Sequence, residues 1–195
     1  MVKIYKIWCI VFCFTFIYSC KEDPKKYGFQ PDTAAYFKFK NNSNWIYKNI
    51  ANPTMLDTVF GNGAGEGFAS RDAGLTEISS ITLNGKSSPQ VIIRAEAIAT
   101  SNIDRIAILT KINNILYPSP VIININGTMN SEDSTNLVKL ISFDLSGSQY
   151  EDVWEMTLKN HPYFSKLYFA KNLGIIRKTL RTGETYDLIN YTPGN

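Results

Sequence analysis

Few residues in this sequence stand where chemistry could be done. All three cysteines, Cys9, Cys13 and Cys20, fall within the first twenty residues. No disulfide framework or cysteine-based zinc site can therefore form in the rest of the chain. His161 is the only histidine, and any Ser-His-Asp triad or histidine metal site would have to be built on it. Its place before Pro162 reads instead as a turn residue. The run Gly61-Asn62-Gly63-Ala64-Gly65-Glu66-Gly67 follows an apolar stretch as a phosphate loop would. The position five after Gly61 is Glu66, however, and no Lys-Ser/Thr follows, so it reads as a flexible loop. The acid pairs Glu132-Asp133 and Glu151-Asp152 lie outside any calcium-loop frame. No cofactor is implied.

Cys20 is the exception, because of what precedes it. Lys3 and Lys6 lead into twelve nearly unbroken apolar residues from Ile7 to Tyr18, and Ser19-Cys20 is followed at once by Lys21-Glu22-Asp23. Basic start, apolar run and polar stop are the marks of an export signal. As a helix the apolar run would reach about 18 Å, short of the ~30 Å hydrocarbon core, so a permanent span is disfavoured. The order Ile17-Tyr18-Ser19-Cys20 resembles a lipobox, in which the cysteine sulfur receives a diacylglyceryl group and cleavage makes that cysteine the first mature residue. Tyr18 is bulkier than the usual residue there. The resemblance implies a signal peptide over residues 1–19 and lipidation at Cys20. Lys21 after the cysteine implies the outer membrane, facing the periplasm or displayed at the cell surface.

The chain is 44% hydrophobic and 13% aromatic with a formal charge of +3. Two of those positive charges belong to Lys3 and Lys6, and the others are scattered, so a nucleic-acid partner is not indicated. Residues 20–35 carry prolines and a glycine with no period and read as a lipidated tether, leaving 36–195 as one domain. Within it, runs rich in Ile, Val, Tyr, Phe and Thr recur between turn signals. They predict strands at 45–50, 56–60, 75–83, 90–99, 103–112, 121–125, 138–145, 153–158, 166–170, 175–180 and 185–191. Turn chemistry stands at Asn84-Gly85, Asn113-Asn114, Asn126-Gly127, Asn172-Leu173-Gly174 and Thr182-Gly183. Connections this short join antiparallel neighbours. The expectation is an all-β antiparallel meander without helices, forming an open or closed barrel (a half-barrel similar to lipoprotein carriers, or lipocalin-like), with a two-sheet sandwich as the alternative.

Aromatics crowd both ends of this domain. Tyr36, Phe37, Trp45, Tyr47 and Tyr168 are core candidates and, if exposed together, would line a ligand or glycan surface. The segment Tyr36-Phe37-Lys38-Phe39 through Trp45-Ile46-Tyr47, with Asn172-Leu173-Gly174-Ile175-Ile176-Arg177-Lys178 and Tyr186-Asp187-Leu188-Ile189-Asn190-Tyr191, resembles uncharacterised Bacteroidota-type outer-membrane or surface lipoproteins. That resemblance implies an envelope address and brings no activity with it. The functional expectation is a non-enzymatic lipid-anchored binding module for a hydrophobic ligand, a glycan or another envelope protein. A concave apolar half-barrel would favour a lipid, and a filled barrel an interaction module. The rival is an envelope-polymer hydrolase, which requires acids such as Glu96, Asp104, Asp144 or Glu155 to converge in one cleft.

Overall fold

A computed structural model describes residues 23–71, 74–98, 103–124, 129–131 and 136–195. The proposed export signal, Cys20 and the Asn126-Gly127 turn lie outside them. In chain order the elements are β1 (Lys26–Tyr27), α1 (Pro31–Phe37), β2 (Asn44–Asn49), β3 (Leu56–Arg71), β4 (Gly74–Gly85), β5 (Gln90–Ile98), β6 (Ile103–Ile112) and β7 (Ile115–Asn124). They continue with β8 (Met129–Ser131), β9 (Asn136–Leu145), β10 (Ser148–Thr157), β11 (Phe164–Ala170), β12 (Gly174–Leu180) and β13 (Thr185–Thr192).

The expected all-β meander is the observed fold. One antiparallel sheet runs in the order β8-β7-β6-β5-β4-β3-β2-β13-β12-β11-β10-β9. Each long strand pairs with its sequence neighbours, and the sheet's middle is joined by β2 and β13, where Tyr47 faces Leu188 and Trp45 faces Tyr191. The sheet does not close: among the described residues no ladder links β8 to β9. It curls so that both halves share one core, with Ile81, Ile93, Ile106 and Ile108 from one side and Met156, Leu167, Phe169 and Ile176 from the other. Two-residue turns do much of the local work. Asn113 and Asn114 take φ of 50° and 64°, and Ser146 and Gly147 take 53° and 84°, the left-handed pairs that match strand twist.

Several boundaries depart from the sequence reading, each for a physical reason. The Gly-rich run is not a loop but part of β3, with Gly65 opposite Ser80 and Gly67 opposite Ile78. It carries glycine because a Cβ on Gly61 would stand 2.7 Å from Ile81 Cδ1 and 3.1 Å from the Trp45 ring. Asn41 steadies the bulge beyond it by accepting the Ala64 N–H at 2.6 Å. Strand β7 begins at Ile115 and takes in Pro118 and Pro120, which lack an N–H. Among the described residues the ladder to β8 lies at 121–123, beyond both prolines, so neither is asked to donate in it.

The helix-free expectation also fails, at one short place, and the tether ends sooner than 35. Helix α1 is seven residues long with Pro31 in its first turn. Its anchors are remote in sequence: the Phe29 N–H donates to Glu77 Oε2 and the Gln30 N–H to Asp104 Oδ2, each at 2.9 Å. Ahead of it, β1 pairs in parallel with β4, Lys26 against Leu75. Residues ahead of Tyr36, from Lys26 on, thus take part in the fold.

A second local layer covers part of the sheet. Asp152, with φ 54°, interrupts the ladder between the pairs Glu151–Ser142 and Val153–Leu140 without shifting its register. Beyond it the β9–β10 hairpin tip lies over β11, β12 and β13. Phe143 stacks on Tyr168 at 4.8 Å, and Ser146 reaches Asp187 at 3.4 Å.

Candidate functional site

The densest polar chemistry lies inside the barrel, and the sequence reading did not single it out. Asp57 on β3 and Lys178 on β12 point to the same side of the sheet across the intervening β2 and β13. Their side chains are only 2% and 5% exposed, and they form a direct ion pair. The connection between β4 and β5 folds down onto them. Ser88 Oγ donates to Asp57 Oδ2 at 2.6 Å, the Ser87 N–H donates to Oδ1 at 3.0 Å, and Lys178 Nζ donates to Ser88 Oγ at 3.1 Å. The ammonium also lies 4.4 Å from the centre of the Tyr47 ring and 5.6 Å from that of Tyr186.

A serine beside a buried lysine invites comparison with a Ser-Lys nucleophilic pair, which needs the lysine neutral. Asp57 argues against that state. Burial alone would raise the Asp57 pKa, but the Lys178 charge and the donors from Ser88 and Ser87 outweigh it and hold the carboxyl below its ordinary range. Burial lowers the Lys178 pKa while the Asp57 carboxylate opposes the loss of its proton. The Ser88 proton goes to a carboxylate that is already neutralised. The space beside the group, between Tyr47, Leu83, Val91 and Phe164, measures about 20 Å³, room for one water and not for a substrate. This centre is a clamp that ties the β4–β5 connection to the far side of the barrel.

The five aromatics proposed as ligand-lining are all core. Tyr36, Phe37, Trp45, Tyr47 and Tyr168 are 2, 3, 1, 2 and 8% exposed, so they do not form an open surface together. Their polar ends have internal partners: Tyr36 donates to the Asp152 carbonyl at 2.5 Å, Trp45 Nε1 to Leu173 at 2.7 Å and Tyr47 to Ile175 at 2.8 Å. Burial, with the neighbouring Glu155 carboxylate, pushes the Tyr168 hydroxyl up to about 12.

The acids offered to a hydrolase do not converge. Glu96 pairs with Arg71 at 2.5 Å, and Glu155 with Lys166 at 2.6 Å. Asp144 accepts the Gly147 N–H within its own hairpin, and Asp104 holds the start of α1. Burial raises the Asp104 pKa, but helix α1 covers the group instead of exposing it to a cleft. His161 proves a turn residue, as its sequence context implies. Nδ1 accepts the Tyr163 and Phe164 N–H groups at 3.1 and 2.9 Å. Burial, helped by the nearby Arg181 charge, lowers its pKa to about 4, so the ring is neutral.

The outer surface offers something different. Beside the hairpin tip, Lys48, Ile50, Pro53, Ser146, Asp187 and Ile189 line a groove of about 250 Å³. Its rim is apolar, with Ile50 52% and Ile189 49% exposed, and Leu56 and Met55 stand exposed nearby. The carboxylate in its wall is not available as a fresh charge: Asp187 is held bidentately by Arg177 at 2.5 and 2.8 Å. Sequence could have suggested this site only through Ile50, just past β2, and Ile189, the extra residue of the bulge after Leu188.

No protein-family model matches this chain, and no curated protein or solved structure matches it either.

Proposed function

We propose that this chain is a lipid-anchored cell-envelope protein, acylated at Cys20 and held at the outer membrane, whose β domain is a non-enzymatic interaction module for another envelope protein. One observation favours this over a lipid or glycan carrier: the rings that would have lined a cavity fill it. Ligand pockets for small molecules run to several hundred Å³, whereas the barrel space beside Lys178 is about 20 Å³. The apolar-rimmed groove lies outside, where a side chain of a partner protein can reach it.

The address rests on Cys20 and the apolar run ahead of it. Each buried methylene contributes about 0.8 kcal/mol, one acyl chain holds only reversibly, and two or three hold in effect permanently. The test is growth of the native host with an alkyne fatty acid, comparing wild type with Cys20→Ala. Label confined to the wild type, in the outer-membrane fraction, is the expected result; equal label in both removes the anchor.

A further inference from the structure

Three Asn-Gly pairs occur in the sequence, at 62–63, 84–85 and 126–127, the last outside the described residues. In such a pair the glycine amide can attack the asparagine side chain, and asparagine is accordingly among the thermally labile residues. The rate depends on whether the fold holds the two groups apart, and here it treats the two described pairs in opposite ways. Asn84 and Gly85 are paired with Phe60 and Val59 in the β3–β4 ladder. Asn84 Oδ1 accepts from Gln90 Nε2 at 2.7 Å, and Ser88 packs so closely on Gly85 that a Cβ would not fit. Asn62 and Gly63 are both exposed. The register shifts between the pairs Asn62–Thr82 and Gly65–Ser80, which leaves Gly63 and Ala64 out of the pairing. Gly61 spends its backbone groups on the other side, donating to the Ser43 carbonyl and accepting from the Asn42 N–H, each at 2.8 Å. Alternation along the strand therefore gives the Asn62 backbone to Thr82 and turns the Gly63 N–H away from β4. On that side Asn41 Oδ1 takes the N–H of Ala64, at 2.6 Å. Gly63 stands at φ +64° with nothing within 4 Å of the place a Cβ would occupy, so its peptide has room to turn.

We infer that Asn62 is a modification site, at which the folded chain converts this asparagine spontaneously to aspartate and isoaspartate. The Gly63 amide gives its proton to solvent base and its nitrogen bonds to Asn62 Cγ. The Cγ–Nδ2 bond breaks, and Nδ2 takes up a proton and leaves as ammonia, closing a succinimide ring. Water, the only co-reactant, then opens the ring at either carbonyl. Opening at Cγ leaves an aspartate with the main chain as it was. Opening at the main-chain carbonyl leaves an isoaspartate, whose backbone runs through Cβ and Cγ and is one atom longer. The first product adds a charge on an exposed face and disturbs little. The second lengthens β3 next to Gly61, where packing on Trp45 and Ile81 is tight, and should unfold at a lower temperature.

The test incubates the purified full chain in mildly alkaline buffer, folded and in urea, until the urea sample has converted at both pairs. Peptide mapping by mass spectrometry reads the gain of one mass unit at each asparagine, and methylation by an isoaspartyl methyltransferase reads the isoaspartate. Urea leaves only local sequence to act, so it sets the reference ratio of conversion at Asn62 to conversion at Asn84. In the folded chain that ratio should rise at least about ten-fold, because Asn84 reacts only through local opening of its ladder. Asn62→Gln, whose longer side chain closes a larger ring far more slowly, should silence the Asn62 peptide and leave the melting temperature unchanged. A folded ratio no larger than the urea ratio, or no conversion at Asn62 in the folded chain, overturns the inference.

Discussion

A lysine and an aspartate inside an apolar barrel persist because each removes the other's burial penalty. Lys178→Met leaves Asp57 buried and unpaired, which typically costs about 3–5 kcal/mol, whereas replacing both partners by apolar residues is often near neutral. In urea unfolding, Lys178→Met should therefore be severely destabilised and Lys178→Met with Asp57→Leu should recover most of the loss. Additive losses would show that the pair is not a unit. The pair was not legible in sequence: Lys178 follows Arg177 in an alternating strand and reads as solvent-facing, and its partner lies 121 residues away. His161 was legible, because the Asn160-His161-Pro162 context already spells a turn. Its folded pKa of about 4 lies below the ordinary 6.5. The neutral ring's contribution is therefore complete above pH 6.5 and is lost as pH falls toward 4, by up to about 3 kcal/mol. His161→Asn keeps an acceptor for the Tyr163 and Phe164 N–H groups and does not titrate. Its stability should be flatter across that window, and an unchanged slope would assign the acid sensitivity elsewhere.

Among the elements, strands with turn chemistry between them were readable and those with unusual contents were not. The span Ile103–Ile112 matches its expected bounds, and its Asn113-Asn114 turn takes the left-handed angles asparagine favours. Strand β3 ran on past its expected end because glycines and a bulge, normally breakers, are held there by Asn41 and by close packing on Trp45. Helix α1 was missed because two turns cannot show a helical period, and because its start is fixed by Asp104, 74 residues from Gln30. Asp104→Ala should free that start. Hydrogen exchange is expected to quicken about ten-fold or more over residues 25–38, a loss of roughly 1.5–3 kcal/mol for a charged hydrogen bond, with β11–β13 unaffected. Uniform quickening would mean that α1 has no independent anchorage.

For the whole molecule, the decisive joint is β13, which hydrogen-bonds both β12 and β2 and so makes one sheet of two halves. Short connections made the meander legible, but nothing local in β2 announces that its partner is the final strand. Deleting residues 185–195 should abolish cooperative unfolding by calorimetry, because Tyr186 and Leu188 leave the core and Trp45 loses Tyr191, 5.2 Å away. A truncated chain that still melts in one sharp transition would show that the halves are independently stable.

The account's central claim concerns where this molecule is held, and mass spectrometry of the protein isolated from its native membranes addresses it most directly. A mature chain starting at Cys20, heavier than its sequence by a diacylglyceryl group or more, is the expected result. A chain still beginning at Met1, or one with a free thiol at position 20, would contradict it.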